Sequence, residues 1–153
     1  MISTELLRRY PFFGGLTDAE LAGIAMVAQE ITFASDVIIF EAGDLATQLY
    51  VLETGAIELL HLVPSQGTDR STPVGSIAPG EPFGVSAFLE PYRMTATARS
   101  QAPVKAIAVD ASALRAMSEV DCHLGYIIMR HIARSLAERL SYARVQLAAC
   151  RPD

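Results

Sequence analysis

The spacing of apolar residues divides this chain of 153 residues into three parts. In residues 3–28 the apolar positions recur every three or four residues, which is typical of amphipathic helices. A first helix is predicted from Ser3 to Arg9. Thr17 and Glu20 form a capping box, which predicts the start of a second helix. The apolar face of this second helix consists of Leu21, Ile24, Ala25 and Ala28.

Near residue 30 the pattern changes to short segments rich in β-branched and aromatic residues. Strands are predicted at residues 31–33, 37–40, 49–52, 56–63, 73–77, 95–100 and 104–109. Turns are predicted between them at residues 41–44, 53–55 and 64–67, each of which contains glycine. Many short strands at nearly regular spacing favour a β-barrel or jelly roll over residues 30–110.

Helical spacing returns in residues 111–149. Asp110 is predicted to cap a helix that ends near Glu119, and a longer helix is predicted from about Asp121 to Ala149. The apolar positions of the longer helix are Leu124, Ile127, Ile128, Ile132, Leu136, Leu140, Ala143 and Leu147. The chain is therefore predicted to form a single α+β domain over residues 1–153. Its centre is a mainly β jelly-roll barrel (a double-stranded β-helix), flanked by N-terminal helices and a long C-terminal helix.

Composition narrows the class of protein. Hydrophobic residues make up 51% of the chain and charged residues 19%, with a mean hydropathy of +0.30, which indicates a buried oligomer face. The net charge of −5 makes the chain a poor non-specific binder of nucleic acid or anionic membranes. Its apolar runs fall short of the roughly 18 residues that cross a bilayer. The N-terminal residues do not resemble a signal peptide, so the protein is predicted to be cytoplasmic.

Catalytic and metal-binding patterns give no match. The segment from Gly84 to Phe88 lacks the final glycine of a nucleophile elbow. His61, His123 and His131 do not have the spacing of zinc ligands. Cys122 and Cys150 do not resemble a disulfide framework or a metal knuckle. No enzymatic activity, metal site or cofactor is expected.

The segment from Gly80 to Leu89, followed by Tyr92 to Thr97, resembles the phosphate-binding cassette of cyclic nucleotide-binding domains. Three further segments resemble motifs of the same family in the same order: residues 12–21, 38–44 and 49–55. The resemblance covers roughly residues 10–140. It implies the jelly-roll fold, a regulatory function, and cAMP or cGMP as the ligand.

The resemblance also implies which residues line the ligand pocket. These are Phe83, Gly84, Val85, Ser86, Ala87, Arg93, Met94 and Thr95. Val85 stands where the family has an acidic residue that accepts a hydrogen bond from the ribose 2′-hydroxyl, and Met94 stands where it has an arginine. Without this buried carboxylate, the affinity for a cyclic nucleotide is predicted to be about ten- to a hundredfold lower.

Several interpretations of the pocket stay open. Arg93 lies one position before the family's arginine, so it either contacts an anion or is a solvated surface residue. Ser86 and Thr95 offer hydroxyl groups that either bind a ligand or are ordinary turn and strand residues. Val85 and Met94 either fill an empty pocket or line a less polar one for another small molecule.

The family resemblance implies that the C-terminal helix dimerises and closes over the pocket. Leu136, Leu140, Ala143 and Leu147 form the predicted helix–helix seam, although the same stripe also suits packing on the chain's own barrel. Arg134 and Ser135 of this helix are candidates to contact the base or sugar of a ligand, and the spacing leaves this open.

Catabolite-activator relatives carry a helix-turn-helix domain after this helix, and the chain ends at Asp153. Direct DNA binding by this chain is therefore not expected, whether it is a free-standing domain or part of a longer protein. Three functions remain in view: a regulatory module that senses a cyclic nucleotide weakly, a dimerisation or protein-interaction module with an unknown protein partner, and a sensor of another small molecule.

Overall fold

The chain folds as helices, then a β-barrel, then helices in a computed structural model that describes residues 1–65 and 68–150. The helices are α1 (Thr4–Arg8), α2 (Asp18–Met26), α3 (Ala111–Val120) and α4 (Cys122–Ala149). Single 3-10 turns occur at Pro11–Phe13 and Val85–Phe88. The strands are β1 (Ala28–Phe33), β2 (Ile38–Phe40), β3 (Gln48–Thr54), β4 (Ile57–Ser65), β5 (Thr68–Ile77), β6 (Pro82–Phe83), β7 (Thr97–Ser100) and β8 (Val104–Asp110).

The strands form two four-stranded antiparallel sheets, in the orders β1-β8-β3-β6 and β2-β7-β4-β5. Each sheet brings together strands that are distant in the sequence. Ala28 pairs with Val109 and Phe33 with Val104, so that the first and last strands lie side by side. This topology confirms the predicted α+β jelly roll with a long C-terminal helix.

The core lies between the two sheets and under α3. The side chains of residues 106–109 in β8 are all buried, without the alternation of a half-exposed strand. The reason is that α3 packs on β3 and β8 from outside, so both faces of these strands are covered. The cassette is joined to this core through β6, in which Pro82 and Phe83 pair with Val51 and Tyr50 of β3.

Some predicted boundaries were wrong. The second helix ends at Met26, and Ala28, predicted on its apolar face, is instead the first residue of β1. Its backbone pairs with β8, which a local pattern does not show. The strand predicted at residues 95–100 begins at Thr97, and that predicted at 73–77 begins at Thr68. Of the turn predicted at residues 64–67, residues 66 and 67 lie outside the described residues.

The predicted capping box is present and is tied to α4. The Thr17 hydroxyl accepts a hydrogen bond from the Glu20 N–H, and Glu20 Oε1 accepts one from the Thr17 N–H. His123 Nδ1 lies 2.9 and 3.0 Å from the two carboxylate oxygens of Glu20. Burial acts to raise the pKa of Glu20, but the hydrogen bonds from Thr17 and His123 outweigh it and lower the pKa to about 2. The pair joins α2 to the start of α4.

A second group of charges lies where β1, β3 and β8 adjoin. Lys105 Nζ lies 3.0 Å from Glu30 Oε2, and this contact lowers the pKa of Glu30. Burial, together with the nearby Glu30, raises the pKa of Glu53. The Tyr10 hydroxyl donates to Glu53 Oε1, whereas Glu53 Oε2 is buried and has no hydrogen-bond partner among the described residues. Ionised Glu53 is therefore a source of instability.

Candidate functional site

Gly84 shapes the turn that begins the cassette. Its φ of +66° lies in the left-handed region, and a Cβ there would lie 3.0 Å from the Tyr50 ring and 3.3 Å from the Gln48 carbonyl oxygen. Before the turn, the Phe83 ring stacks on that of Tyr50 with centroids 4.8 Å apart. Glycine is thus required both for the backbone conformation and for the close approach of the turn to β3.

The cassette, the end of β2 and α4 enclose a cavity of about 240 Å³, called here the cassette cavity. It is lined by Phe40, Leu59, Phe83, Gly84, Val85, Ser86, Leu89, Met94, Thr95, Ala96, Leu136 and Arg139. Six of the eight residues predicted for the pocket are among them. Ala87 and Arg93 are not.

Val85 and Met94 both contribute apolar side chains to the cavity wall. Val85 is 7% exposed and Met94 is 5% exposed, so both belong to the buried core. The two positions at which the family resemblance implied charged groups therefore carry hydrocarbon and a thioether. Among the residues that the structure describes, no carboxylate lines this cavity.

Arg93 lies outside the cavity. It forms an isolated backbone bridge with Leu45, and its Nη1 donates a hydrogen bond to the Gly43 carbonyl at 3.3 Å. Neighbouring residues of an extended segment point to opposite sides, so the inward position of Met94 directs Arg93 to the surface. In this structure Arg93 is a surface residue, and its role as an anion contact stays a prediction.

Arg115 supports the cassette from α3. Its guanidinium donates a hydrogen bond to the carbonyl of Ala87 and lies 4.1 Å from the centroid of the Tyr92 ring. Ala87 is buried beneath the turn, which explains its absence from the cavity lining. Arg115 thus fixes the turn at its C-terminal end and the loop that leads to Met94.

The sequence analysis missed the cation of this cavity, which is Arg139 of α4. Arg139 donates a hydrogen bond from Nη2 to the carbonyl of Pro82, in the strand that enters the cassette. Its Nε is buried and has no hydrogen-bond partner in residues 1–65 and 68–150. Burial lowers the pKa of Arg139, and the nearby Glu81 partly offsets this effect. An arginine nevertheless stays charged in proteins, so the cavity contains a positive charge.

A second cavity, of about 350 Å³, shares Leu59 and Arg139 with the first. Its lining includes Glu81 and Glu138, so it has a negative character that the cassette cavity lacks. The Arg139 side chain therefore stands between an apolar cavity and an acidic one. Arg134 and Ser135, the two candidates for a ligand contact from α4, line a separate depression of about 270 Å³.

The long helix α4 has two apolar faces rather than the single predicted stripe. Its inner face packs on the rest of the domain and consists of Leu124, Ile127, Ile128, Ile132 and Ser135. Its outer face follows alternating steps of three and four residues and consists of Tyr126, Met129, Ala133, Leu136, Leu140, Ala143 and Leu147. The outer residues are exposed, from 38% for Met129 to 74% for Leu147 among the large ones. This is the spacing of a coiled-coil seam, and it contains the four predicted seam residues.

The described residues contain neither a cluster of metal ligands nor a membrane-spanning helix. In the ranges 1–65 and 68–150, no group of three His, Cys, Asp or Glu side chains is placed to hold a metal ion. None of the helices formed by these residues has both the length and the apolar character needed to cross a membrane.

Similarity to known proteins agrees with this architecture. The profile of the cyclic nucleotide-binding domain matches residues 30–121. A candidate cyclic nucleotide-binding protein from Geobacter metallireducens GS-15 is 36% identical, with a TM-score of 0.80 over 92% of this chain and 99% of that one. The N-terminal domain of a transcriptional regulator from Streptomyces coelicolor A3(2) is 27% identical, with a TM-score of 0.68 over 90% and 94% of the two chains.

A curated relative is longer than this chain. The CRP-like cAMP-activated global transcriptional regulator of Mycobacterium tuberculosis is 24% identical over 132 residues, which are 86% of this chain and 58% of that protein. The chain therefore spans less than two thirds of the length of the curated relatives it matches. Because the family profile covers more than half of the residues and the 36% identical structure extends over nearly the whole fold, the chain belongs to the cyclic nucleotide-binding domain family.

Proposed function

We propose that this domain is a ligand-sensing regulatory module in which Arg139 reports the state of the cassette cavity to α4. One observation carries the proposal: Arg139 of α4 both lines the cavity and donates a hydrogen bond to the carbonyl of Pro82 at the entrance of the cassette. An anion in the cavity competes with the Pro82 carbonyl for the guanidinium. Binding then shifts the equilibrium between two positions of α4. The size of the shift is set by the difference between the ligand's affinities for the two corresponding conformations of the protein.

We propose cAMP and cGMP as weak ligands, on the basis of family membership. Ser86 and Thr95 offer hydroxyl groups, and Arg139 offers a guanidinium suited to phosphate. The cavity of about 240 Å³ is, however, smaller than the roughly 300–1,000 Å³ of typical ligand sites. A nucleotide therefore requires Arg139 to leave Pro82, so that the cassette cavity and the acidic cavity join. That movement is itself a route from binding to α4.

Thermal unfolding with each nucleotide tests this proposal. A ligand at a hundred times its Kd stabilises a protein by about 2.7 kcal/mol, which is roughly 5–11 °C in Tm for a domain of this size. We expect a measurable rise at millimolar nucleotide. The double variant Val85→Glu with Met94→Arg is expected to bind about ten- to a hundredfold more tightly, because it restores the two charged groups. Unchanged Tm values for both proteins would refute nucleotide sensing.

We propose that the domain is a homodimer through α4. The outer face continues for three heptads, from Tyr126 to Leu147, without a charged residue at a seam position. Leu136 belongs to this seam and also lines the cassette cavity. A change at the cavity therefore reaches the dimer seam through adjacent residues of one helix.

A second candidate function is a dimerisation or protein-interaction module that binds no small molecule. The burial of Val85 and Met94 favours it, since these side chains occupy space that the family's charged groups would otherwise share with a ligand. Under both proposals the domain is not an enzyme, acts in the cytoplasm and does not bind nucleic acid directly. These properties are supported by the regulatory relatives and by the net charge of −5.

A further inference from the structure

We infer that the cassette cavity binds a small organic carboxylate with an apolar body, whose carboxylate pairs with Arg139. The inference rests on the proposed sensing function and names the chemical class of its ligand. It follows from one juxtaposition: Arg139, whose buried Nε has no hydrogen-bond partner among the described residues, lines a cavity that is otherwise mostly apolar.

The guanidinium determines the head group. Nη2 of Arg139 is bonded to the Pro82 carbonyl, which is a neutral acceptor, whereas Nε has no partner among the described residues. A carboxylate accepts two parallel hydrogen bonds from a guanidinium and adds the attraction of opposite charges. A carboxylate at Arg139 would therefore supply the acceptor that none of the described residues offers to Nε.

The remaining lining determines the body of the ligand. Apart from Arg139, the side chains with polar atoms are Ser86 and Thr95, and the others are aliphatic, aromatic or thioether groups or glycine. A cyclic nucleotide brings a sugar hydroxyl and the donors and acceptors of a base. Each of these that loses water without gaining a partner costs about five- to 150-fold in affinity. An alkyl or aryl body incurs no such cost.

The neighbouring cavity determines where the anion lies. Glu81 and Glu138 line the acidic cavity on the other side of Arg139, and their charges repel an anion there. The volume of about 240 Å³ lies below the roughly 300–1,000 Å³ of typical ligand sites, which suits a short acid rather than a nucleotide. The ligand therefore fits the cassette cavity alone.

A matched set of probes tests this inference on the whole chain. Hexanoate, heptanoate and octanoate are titrated, with 1-octanol as the neutral counterpart and cAMP and cGMP as the nucleotides. Affinity is measured by calorimetry, and the ¹H–¹⁵N signal of the Arg139 Nε–H group is followed by NMR. We expect octanoate to shift this signal and to bind at least tenfold more tightly than 1-octanol. Each added methylene should strengthen binding about fourfold until the cavity is full.

Two variants identify the group responsible. Arg139→Met keeps the apolar stem and removes the charge, so it should abolish the preference for octanoate over 1-octanol. Arg134→Met removes an exposed arginine of the same helix that does not line the cassette cavity, and it should retain the preference. If Arg139→Met fails to fold, Arg139→Lys replaces it as the variant. The shift of the wild-type Arg139 Nε–H signal on addition of octanoate then tests whether the carboxylate contacts Arg139.

The outcomes separate the two proposals. Binding of cAMP or cGMP without binding of octanoate would overturn the ligand class and leave the sensing function intact. Equal octanoate affinity in Arg139→Met and wild type would overturn the assignment of Arg139. If none of the probes binds, both the ligand class and the sensing function fail.

Discussion

Leu140 provides a quantitative test of the proposed dimer seam. Its side chain is 52% exposed in the single chain, so about half of its burial remains to be gained on association. Leu140→Ala removes three carbon atoms, which at about 0.8 kcal/mol each are worth about 2.4 kcal/mol when fully buried. About half of this free energy, or about 1.2 kcal/mol per protomer, is gained only when the side chain is buried in the dimer contact. Two protomers then lose about 2.4 kcal/mol, which is a dimer Kd about sixtyfold weaker.

Sedimentation equilibrium over a range of concentrations measures this Kd. Val145→Ala is the matched control, because Val145 is 62% exposed on the same helix but lies off the seam. Val145→Ala should leave the dimer Kd within a few-fold of wild type. Equal weakening by the two substitutions, or a wild-type chain that stays monomeric at high concentration, would refute the seam.

Three further predictions concern stability, measured by urea unfolding. Gly84→Ala should cost more than the roughly 1–2 kcal/mol of a left-handed residue, because its Cβ also meets Tyr50. Gly43 has a φ of +91°, and an added Cβ there would meet open space, so Gly43→Ala should cost only the backbone contribution. Similar losses of stability in Gly84→Ala and Gly43→Ala would contradict the packing argument. Glu53→Gln should stabilise the protein at pH 7, since burial and the nearby Glu30 make the ionised form of Glu53 unfavourable and raise its pKa. A less stable variant would be inconsistent with that pKa direction. Because the pKa of Glu20 falls from 4.5 to about 2 on folding, its contribution is present above pH 4.5 and is lost towards pH 2. Wild type should lose roughly 3 kcal/mol more than Glu20→Gln across that range, and parallel pH curves would argue against the pair with His123.

The parts of the fold that could be predicted were set by short-range signals. The Thr17–Glu20 capping box lies within four residues, and the Gly84 turn is recognisable from the residues around it. Such features depend on backbone geometry and on local hydrogen bonds. The start of β1 at Ala28 could not be predicted in this way, because it depends on pairing with Val109, far along the chain.

The charge of the candidate site was missed for the same reason. The resemblance directed attention to Arg93, which is near the cassette in sequence but on the outside of the fold. Arg139 lies 57 residues from its partner Pro82 and reaches the cavity only because α4 packs across the barrel. A signal for it does exist in the sequence. Arg139 continues the inner-face spacing of Ile132 and Ser135, and an arginine at an inward helical position needs an explanation.

The central claim is that Arg139 couples the cassette cavity to α4. Amide hydrogen exchange of wild type and Arg139→Met, each with and without saturating cAMP, cGMP or octanoate, tests it most directly. The account predicts that a bound ligand changes protection both in the cassette at residues 83–88 and in α4 at residues 136–149, and that Arg139→Met confines the change to the cassette. Protection that changes in the cassette while α4 stays the same in wild type, or no change with any of the three ligands, would contradict it.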